Sequence, residues 1–256
     1  MRADKETKTV RGVELRKDPA REPCFKIVHL HHDVPDAPST TPEGRVMRAH
    51  REYNQELQTM EIAALCLVDF PNAPWELRME LARQCWDEAR HSLLAYQYLT
   101  KLGGWKGMYP IANLNWSVVA MLDSLPARLA VQHRTFEAGS LDIEVQAIPM
   151  MREMGQEAAA DVKDAVDADE IQHVRFGNEW LRRMIDADPR VVLQIAAAMK
   201  WLEKVVAATG LDDLKDIPTS DHARQLAGFT QGEVSEVTRL HQATVSAANA
   251  PSAPQR

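Results

Sequence analysis

Cysteine is scarce in this chain: Cys24, Cys66 and Cys85 are odd in number and no two stand close together. That pattern excludes a disulfide framework and a zinc site built on cysteine pairs, and leaves three reduced thiols. Aromatic residues are few, at 6%, and no run approaches the roughly 18 apolar residues of a membrane span. The N-terminus, MRADKETKTVRGVELRKD, is charged where a secretory signal would be apolar. A cytoplasmic protein with no membrane partner is the expectation. A basic excess is also missing: 30 Lys and Arg face 37 Asp and Glu, for a net charge of -7. Nucleic acid, whose phosphates demand a basic surface, is therefore not an expected partner. Alternating β-branched runs bounded by Asn-Gly or Asp-Gly turns are absent, so strands are not expected either.

What is present is the composition of a globular protein, 256 residues of which 45% are hydrophobic and 26% charged. Residues 1–40 carry prolines at 19, 23, 35 and 38 and read as an extended arm, ordered only around Cys24 to Leu30. Thr40 and Glu43 have capping-box spacing with Pro42 early in the helix, which starts a helix running to about Asp69. Pro71 and Pro74 break it, and a second helix spans Pro74 to Leu102 before Gly103-Gly104. A long connection leads to Ser124-Leu-Pro126, which starts a third helix ending near Met154; Gly155 separates it from a fourth ending near Asp186. Asp188-Pro189 starts a fifth helix, ending near Gly210, and Thr230 with Glu233 caps a last one. The chain is thus read as all-α. Residues 41–186 form a ferritin-like four-helix bundle with a long crossover between helices two and three, 187–247 add helices packed on it, and 248–256 are a disordered tail.

Two helices share one element, Asp87-Glu88-Ala-Arg-His91 and Asp169-Glu170-Ile-Gln-His173. Residues three apart lie on one helix face, so each Glu and His can grip a metal ion together. One such pair arises readily by chance; two on alternate helices do not. A dimetal carboxylate site also needs a Glu from each of the other two helices. Glu137 precedes Glu170 by 33 residues and Glu56 precedes Glu88 by 32, so the pattern is duplicated. Glu56 and Glu88 each stand 16 residues from Asn72 in the turn, and antiparallel helices bring them to one depth. Glu61 is the rival to Glu56, about 7.5 Å nearer the turn at about 1.5 Å per residue; Glu144 is the weaker rival to Glu137. Asp87 and Asp169 are placed to orient the ligand histidines, each serving the opposite hairpin, and His133, four before Glu137, reads as a hydrogen-bonding neighbour of the centre. Tyr53, three before Glu56, could face the metals, although it reads first as core filling, as do Trp86, Trp180, Phe136 and the methionines. His29, His31, His32 and Asp33 form an exposed cluster without an assigned role.

The segments Glu56-Leu-Gln-Thr-Met-Glu61, Asp87 to His91, Arg128 to Asp142 and Asp169 to Trp180 resemble those of the ferritin-like family catalogued as domain of unknown function 455. The resemblance runs from about Pro23 to Leu181. It implies metal ligation by Glu56, Glu88, His91, Glu137, Glu170 and His173, with Glu88 and Glu170 as bridging carboxylates, and it implies no reaction.

An oxygen-rich donor set with two imidazoles suits two iron ions, with manganese or a mixed manganese and iron pair as the alternative. A reduced iron pair can supply electrons to dioxygen, so the expected function is a non-haem di-iron oxidase or oxygenase. It would act on a small organic molecule by hydroxylation, desaturation or N-oxidation, fed by an external electron donor. The alternative is a ferritin-like iron-handling or peroxide-scavenging protein without organic substrate. The extra helices and the Trp105 to Trp116 connection can serve as a cavity lid or as the interface of a homodimer.

Overall fold

Thr41 starts the first helix by accepting a hydrogen bond from the Gly44 amide at 3.0 Å, which sets α1 as Pro42–Asp69. The cap is one residue later than the Thr40 and Glu43 spacing suggests, because Thr41 leaves Pro42 at the first helical position, where its missing N–H is not needed. Gly44 is required there: a Cβ would lie 2.2 Å from the carbonyl oxygen of Pro38. The computed structural model describes residues 5–211 and 218–248.

After the proline turn, α2 (Trp75–Lys101) packs antiparallel on α1. The connection contains α3 (Leu114–Val119), and Ser124 then caps α4 (Leu125–Val131) through the Ala127 amide. The single third helix expected from Ser124 to Met154 is interrupted. Gln132–Glu137 form a π-helical turn before α5 (Ala138–Glu153). Thr135 Oγ1 donates to the carbonyl of Ala130, five residues back, at 3.1 Å, a reach that the wider turn allows. Gly155, at φ 70°, ends that hairpin arm, and α6 (Glu157–Ala187) returns along α5 and α2.

Outside the bundle, α7 (Val191–Thr209) lies against α4. A short α8 (Asp221–Leu226), which the sequence reading did not separate, is fixed to α5 by the buried ion pair of Arg224 and Asp142 at 2.7 Å. The capping box of α9 (Gln231–Ala248) forms as read: the Glu233 amide donates to Thr230 Oγ1 and the Thr230 amide to Glu233 Oε2. The tail expected at 248–256 lies, after its first residue, outside the described residues.

The arm departs from the expectation of a largely unordered extension. β1 (Thr7–Val10) and β2 (Val13–Arg16) form an antiparallel hairpin. Its turn is Arg11-Gly12, both at positive φ, 46° and 81°. Arginine seldom takes that conformation, so a search for Asn-Gly or Asp-Gly misses the hairpin. Leu15 of β2 is fully buried in a cluster with Val118, Val119, Leu202 and Val205. Further on, β3 (Ile27–Val28) pairs in parallel with β4 (Ile111–Ala112), which ties the arm to the crossover. Trp86 also differs from its reading as core: it is 71% exposed, in a row with Trp75, Met79 and Leu93 on the outer face of α2. The reason is angular, since two residues along a helix, from Trp86 to the buried Glu88, turn the side chain to the opposite face. Among the described residues no helix is long and apolar enough to cross a membrane.

Candidate metal centre

The bundle has a polar middle. Glu56 comes from α1, Glu88 and His91 from α2, Glu137 from the π-helical turn, and Glu170 and His173 from α6. Their donor atoms form two overlapping groups, each within 4.8 Å: Glu56, Glu88, His91 and Glu170, and Glu88, Glu137, Glu170 and His173. All six residues singled out in the sequence are thereby gathered, and the two shared carboxylates are those expected to bridge. His91 Nδ1 lies 3.2 Å from Glu88 Oε2, 3.5 Å from Glu170 Oε1 and 3.7 Å from Glu56 Oε2. His173 Nδ1 lies 3.3 Å from Glu88 Oε1 and 3.6 Å from Glu170 Oε2. Glu88 and Glu170 thus each turn one oxygen toward either imidazole, and the two rings stand 6.2 Å apart.

Such crowding is costly without a cation. Glu88 is fully buried, and Glu137, Glu170, His91 and His173 are buried with it. Burial, with repulsion from Glu88 and Glu170, pushes the Glu56 carboxyl up to about 8. Burial, with the charge of Glu170, raises Glu137 well above the carboxylate range. The imidazoles respond in the opposite sense: burial would lower His91, but Glu170, Glu56 and Glu88 around it hold it at about 12. Glu137 Oε2, Glu170 Oε2 and His173 Nδ1 have no hydrogen-bond partner. Buried polar atoms of this kind call for a ligand, and four carboxylates with two imidazole nitrogens fit divalent ions. The site can therefore hold metal.

The outer nitrogen of each imidazole is occupied. His173 Nε2 donates to Asp87 Oδ2 at 3.3 Å, and His91 Nε2 donates to Asp169 Oδ2 at 3.2 Å. Each aspartate serves the other hairpin's histidine, which keeps Nδ1 facing the carboxylates. Arg90 spans both aspartates, donating to Asp87 at 3.2 Å and to Asp169. The hydrogen bond from His173, with Arg90, holds Asp87 down at about 2.

Three contributors escaped the sequence reading. Arg90 was in plain view inside the Asp87 to His91 element. Gln84, one turn before Glu88, donates to Glu137 Oε1 at 2.6 Å and to Glu88 Oε1 at 3.3 Å; Gln132 also donates to Glu137 Oε1, at 3.1 Å. Gln132 and Glu137 are five apart, so only the π-helical turn stacks them. His133 is not among the six: it is neutral, since burial pushes it down to about 3, and its Nε2 donates to Gln84 Oε1 at 3.0 Å. His133 thereby orients the amide that fixes Glu137. α6 passes so close here that a Cβ on Gly177 would lie 2.6 Å from His133 Cβ. Gly177→Ala is expected to destabilise the protein by about 1–3 kcal/mol through overpacking, read as a lower Tm; an unchanged Tm would contradict the close approach.

The rivals are committed elsewhere. Glu61 accepts two hydrogen bonds from Arg21 of the arm, at 2.6 and 2.8 Å, and Glu144 accepts one from Lys163 at 2.9 Å. Glu61→Ala should leave metal content nearly unchanged while lowering Tm, because it strands the buried Arg21 guanidinium; Glu56→Ala should lower metal content. The opposite ranking in elemental analysis would place the centre on the wrong turn of α1. Tyr53 turns away to Phe25 and Tyr96, with ring centroids at 6.3 and 5.5 Å. In the arm, His29 faces Lys8 and Asp18, while His32 Nε2 lies 3.8 Å from Asp33 Oδ1.

A cavity of about 1030 Å³, open solvent at its mouth included, reaches the centre between α1, α2, α5 and α6. It touches Glu56 and His91 but neither Glu137 nor His173, so it opens onto one half of the site. Leu94, Met150, Met151, Met154, Val162 and Val166 belong to its apolar wall.

A family model described as "Protein of unknown function (DUF455)" matches residues 2–235. An uncharacterized protein of Haemophilus influenzae (strain ATCC 51907 / DSM 11121 / KW20 / Rd) is 27% identical over 227 residues, covering 82% of this chain and 73% of the relative. No solved structure matches significantly.

Proposed function

The chain belongs to the DUF455 family, whose description carries no reaction, and from that premise we propose that its centre holds two iron ions and activates dioxygen to oxidise a small organic molecule. The observation that carries this reading is the pair of shared carboxylates, Glu88 and Glu170, each directed at both imidazoles at the end of an apolar cavity. When bound, a reduced iron pair supplies electrons to dioxygen, and the anionic donors favour the higher oxidation states.

The chain's own residues do the rest. Asp87 and Asp169 hold the proton on Nε2 of His173 and His91, so that Nδ1 stays free as a donor. Gln84 and Gln132 restrain Oε1 of Glu137 and leave Oε2 without a hydrogen-bond partner. Leu94 and Val166 line the inner cavity and keep water from the reacting region, while its opening at Glu56 and His91 lets a substrate approach that half alone. An apolar-walled cavity that leads to the centre supports an oxidase or oxygenase over a protein that only stores iron. Turnover of this kind requires an external electron donor.

The test is to load the protein with ferrous iron under anaerobic conditions, admit oxygen, and follow optical spectra and oxygen uptake. An oxygen-dependent transient with uptake limited by the bound iron is expected. Continued uptake with iron accumulating far beyond the centre's capacity would support iron handling instead, and oxygen release from peroxide by a manganese form would support peroxide scavenging.

A further inference from the structure

The cavity changes character along its length. Midway, its ions are matched: Arg48 donates to Glu52 at 2.9 Å, and Lys163 lies 3.3 Å from Glu52 and 2.9 Å from Glu144. Two cations face two anions, so that stretch offers a substrate no net charge. At the mouth the balance fails. Among the described residues Arg45 donates only to the carbonyl of Thr40, at 3.2 Å, and neither Arg45 nor Lys101 has a carboxylate partner. Both line the same cavity as Glu56 and His91.

The antiparallel hairpin sets these two cations at one level. Arg45 stands eleven residues before Glu56 on α1, and Lys101 ten residues after His91 on α2. At about 1.5 Å per residue, each is roughly 15–17 Å from the centre. The thioethers of Met150, Met151 and Met154 line the same cavity, unbranched side chains that adapt to a flexible guest.

We propose that this cavity binds a linear amphipathic carboxylate, its head between Arg45 and Lys101 and its apolar chain directed inward to the Glu56 and His91 side. The span corresponds to an extended chain of roughly thirteen to fifteen carbons, because a zigzag chain advances only about 1.25 Å per bond, and a ten-carbon acid fills about three quarters of it. The assignment rests on the reading of the centre as the place of reaction, because it names the substrate class of that same site.

The test is calorimetric titration of the full chain, metal-free and iron-loaded, with decanoate, methyl decanoate, decylamine and hexanoate. Decanoate is expected to bind at least tenfold tighter than its methyl ester, with hexanoate weaker and decylamine excluded. The double variant Arg45→Gln, Lys101→Gln should bring decanoate down to the affinity of the ester and leave the ester unchanged; both substitutions are at the rim. Ala159→Phe, which fills the passage, should abolish binding of both. Equal affinities for acid and ester, a preference that survives in the double variant, or no binding of decanoate would overturn the proposal. Iron content measured on the same preparations separates the two failures. A chain that binds iron but not decanoate loses only the substrate class, whereas one that binds decanoate but no iron loses the dimetal reading.

Discussion

Glu170→Ala is expected to abolish paired metal binding, leaving at most one weakly held ion per chain. Glu170 offers Oε1 on the His91 side and Oε2 on the His173 side, so its loss takes a donor from both positions at once. His91→Ala should act on one position more than on the other, since His91 belongs only to the group with Glu56. Substituting the supporting aspartates gives an intermediate effect: Asp87→Asn or Asp169→Asn should weaken metal affinity about 10–100-fold by disturbing the tautomer and orientation of the opposite hairpin's histidine. Titration of the metal-free variants with ferrous iron orders the three classes. An Asp variant that loses more metal than Glu170→Ala would contradict the shared role given to Glu170.

The metal-free protein is expected to lose stability as pH rises from about 5 to 8, and metal is expected to reverse that trend. Folded Glu56 keeps its proton up to about 8 against the ordinary 4.5, so through that window the folded chain holds a proton that the unfolded chain has released. Stability therefore falls with rising pH. His91 acts in the same direction: held at about 12 against 6.5, it contributes stability that is complete below 6.5 and is lost as pH climbs toward 12. At the acid end Asp87, held at about 2 against 3.8, protects the fold until pH drops below the ordinary carboxylate range. Bound ions displace the protons of Glu56 and His91, so metal affinity increases with pH. The Tm gained on adding ferrous iron should thus be larger at pH 8 than at pH 5.5. A gain that shrinks over this range would mean that the metal does not compete with these protons.

The six gathered residues were legible because metal chemistry restricts residue type and helix geometry restricts spacing. Two Glu-x-x-His elements with matched Glu residues 32 and 33 positions earlier leave little freedom. Equal depth in the antiparallel hairpin distinguishes Glu56 from Glu61, and the guanidinium of Arg21 holds Glu61 away from the centre. What could not be read follows from departures from regular geometry or from chemically bland side chains. A 3.6-residue period does not foresee a π-helical turn, so the stacking of Gln132 on Glu137 was invisible. Gln84 carries no chemical signature of its own, and its importance depends on His133 and Glu137 arriving from another helix. The β1–β2 hairpin was hidden by an arginine at positive φ. The cavity, made by four helices, has no local sequence pattern at all, although the methionine cluster at 150, 151 and 154 marks its wall.

The most direct test of the dimetal centre is elemental analysis of iron and manganese per chain after anaerobic loading and removal of unbound ions, on the unmodified protein and on Glu170→Ala in parallel. Two ions per chain in the former and fewer than one in the latter are the predicted result. No bound metal in the unmodified protein, or the same content in both, would contradict the centre as built here.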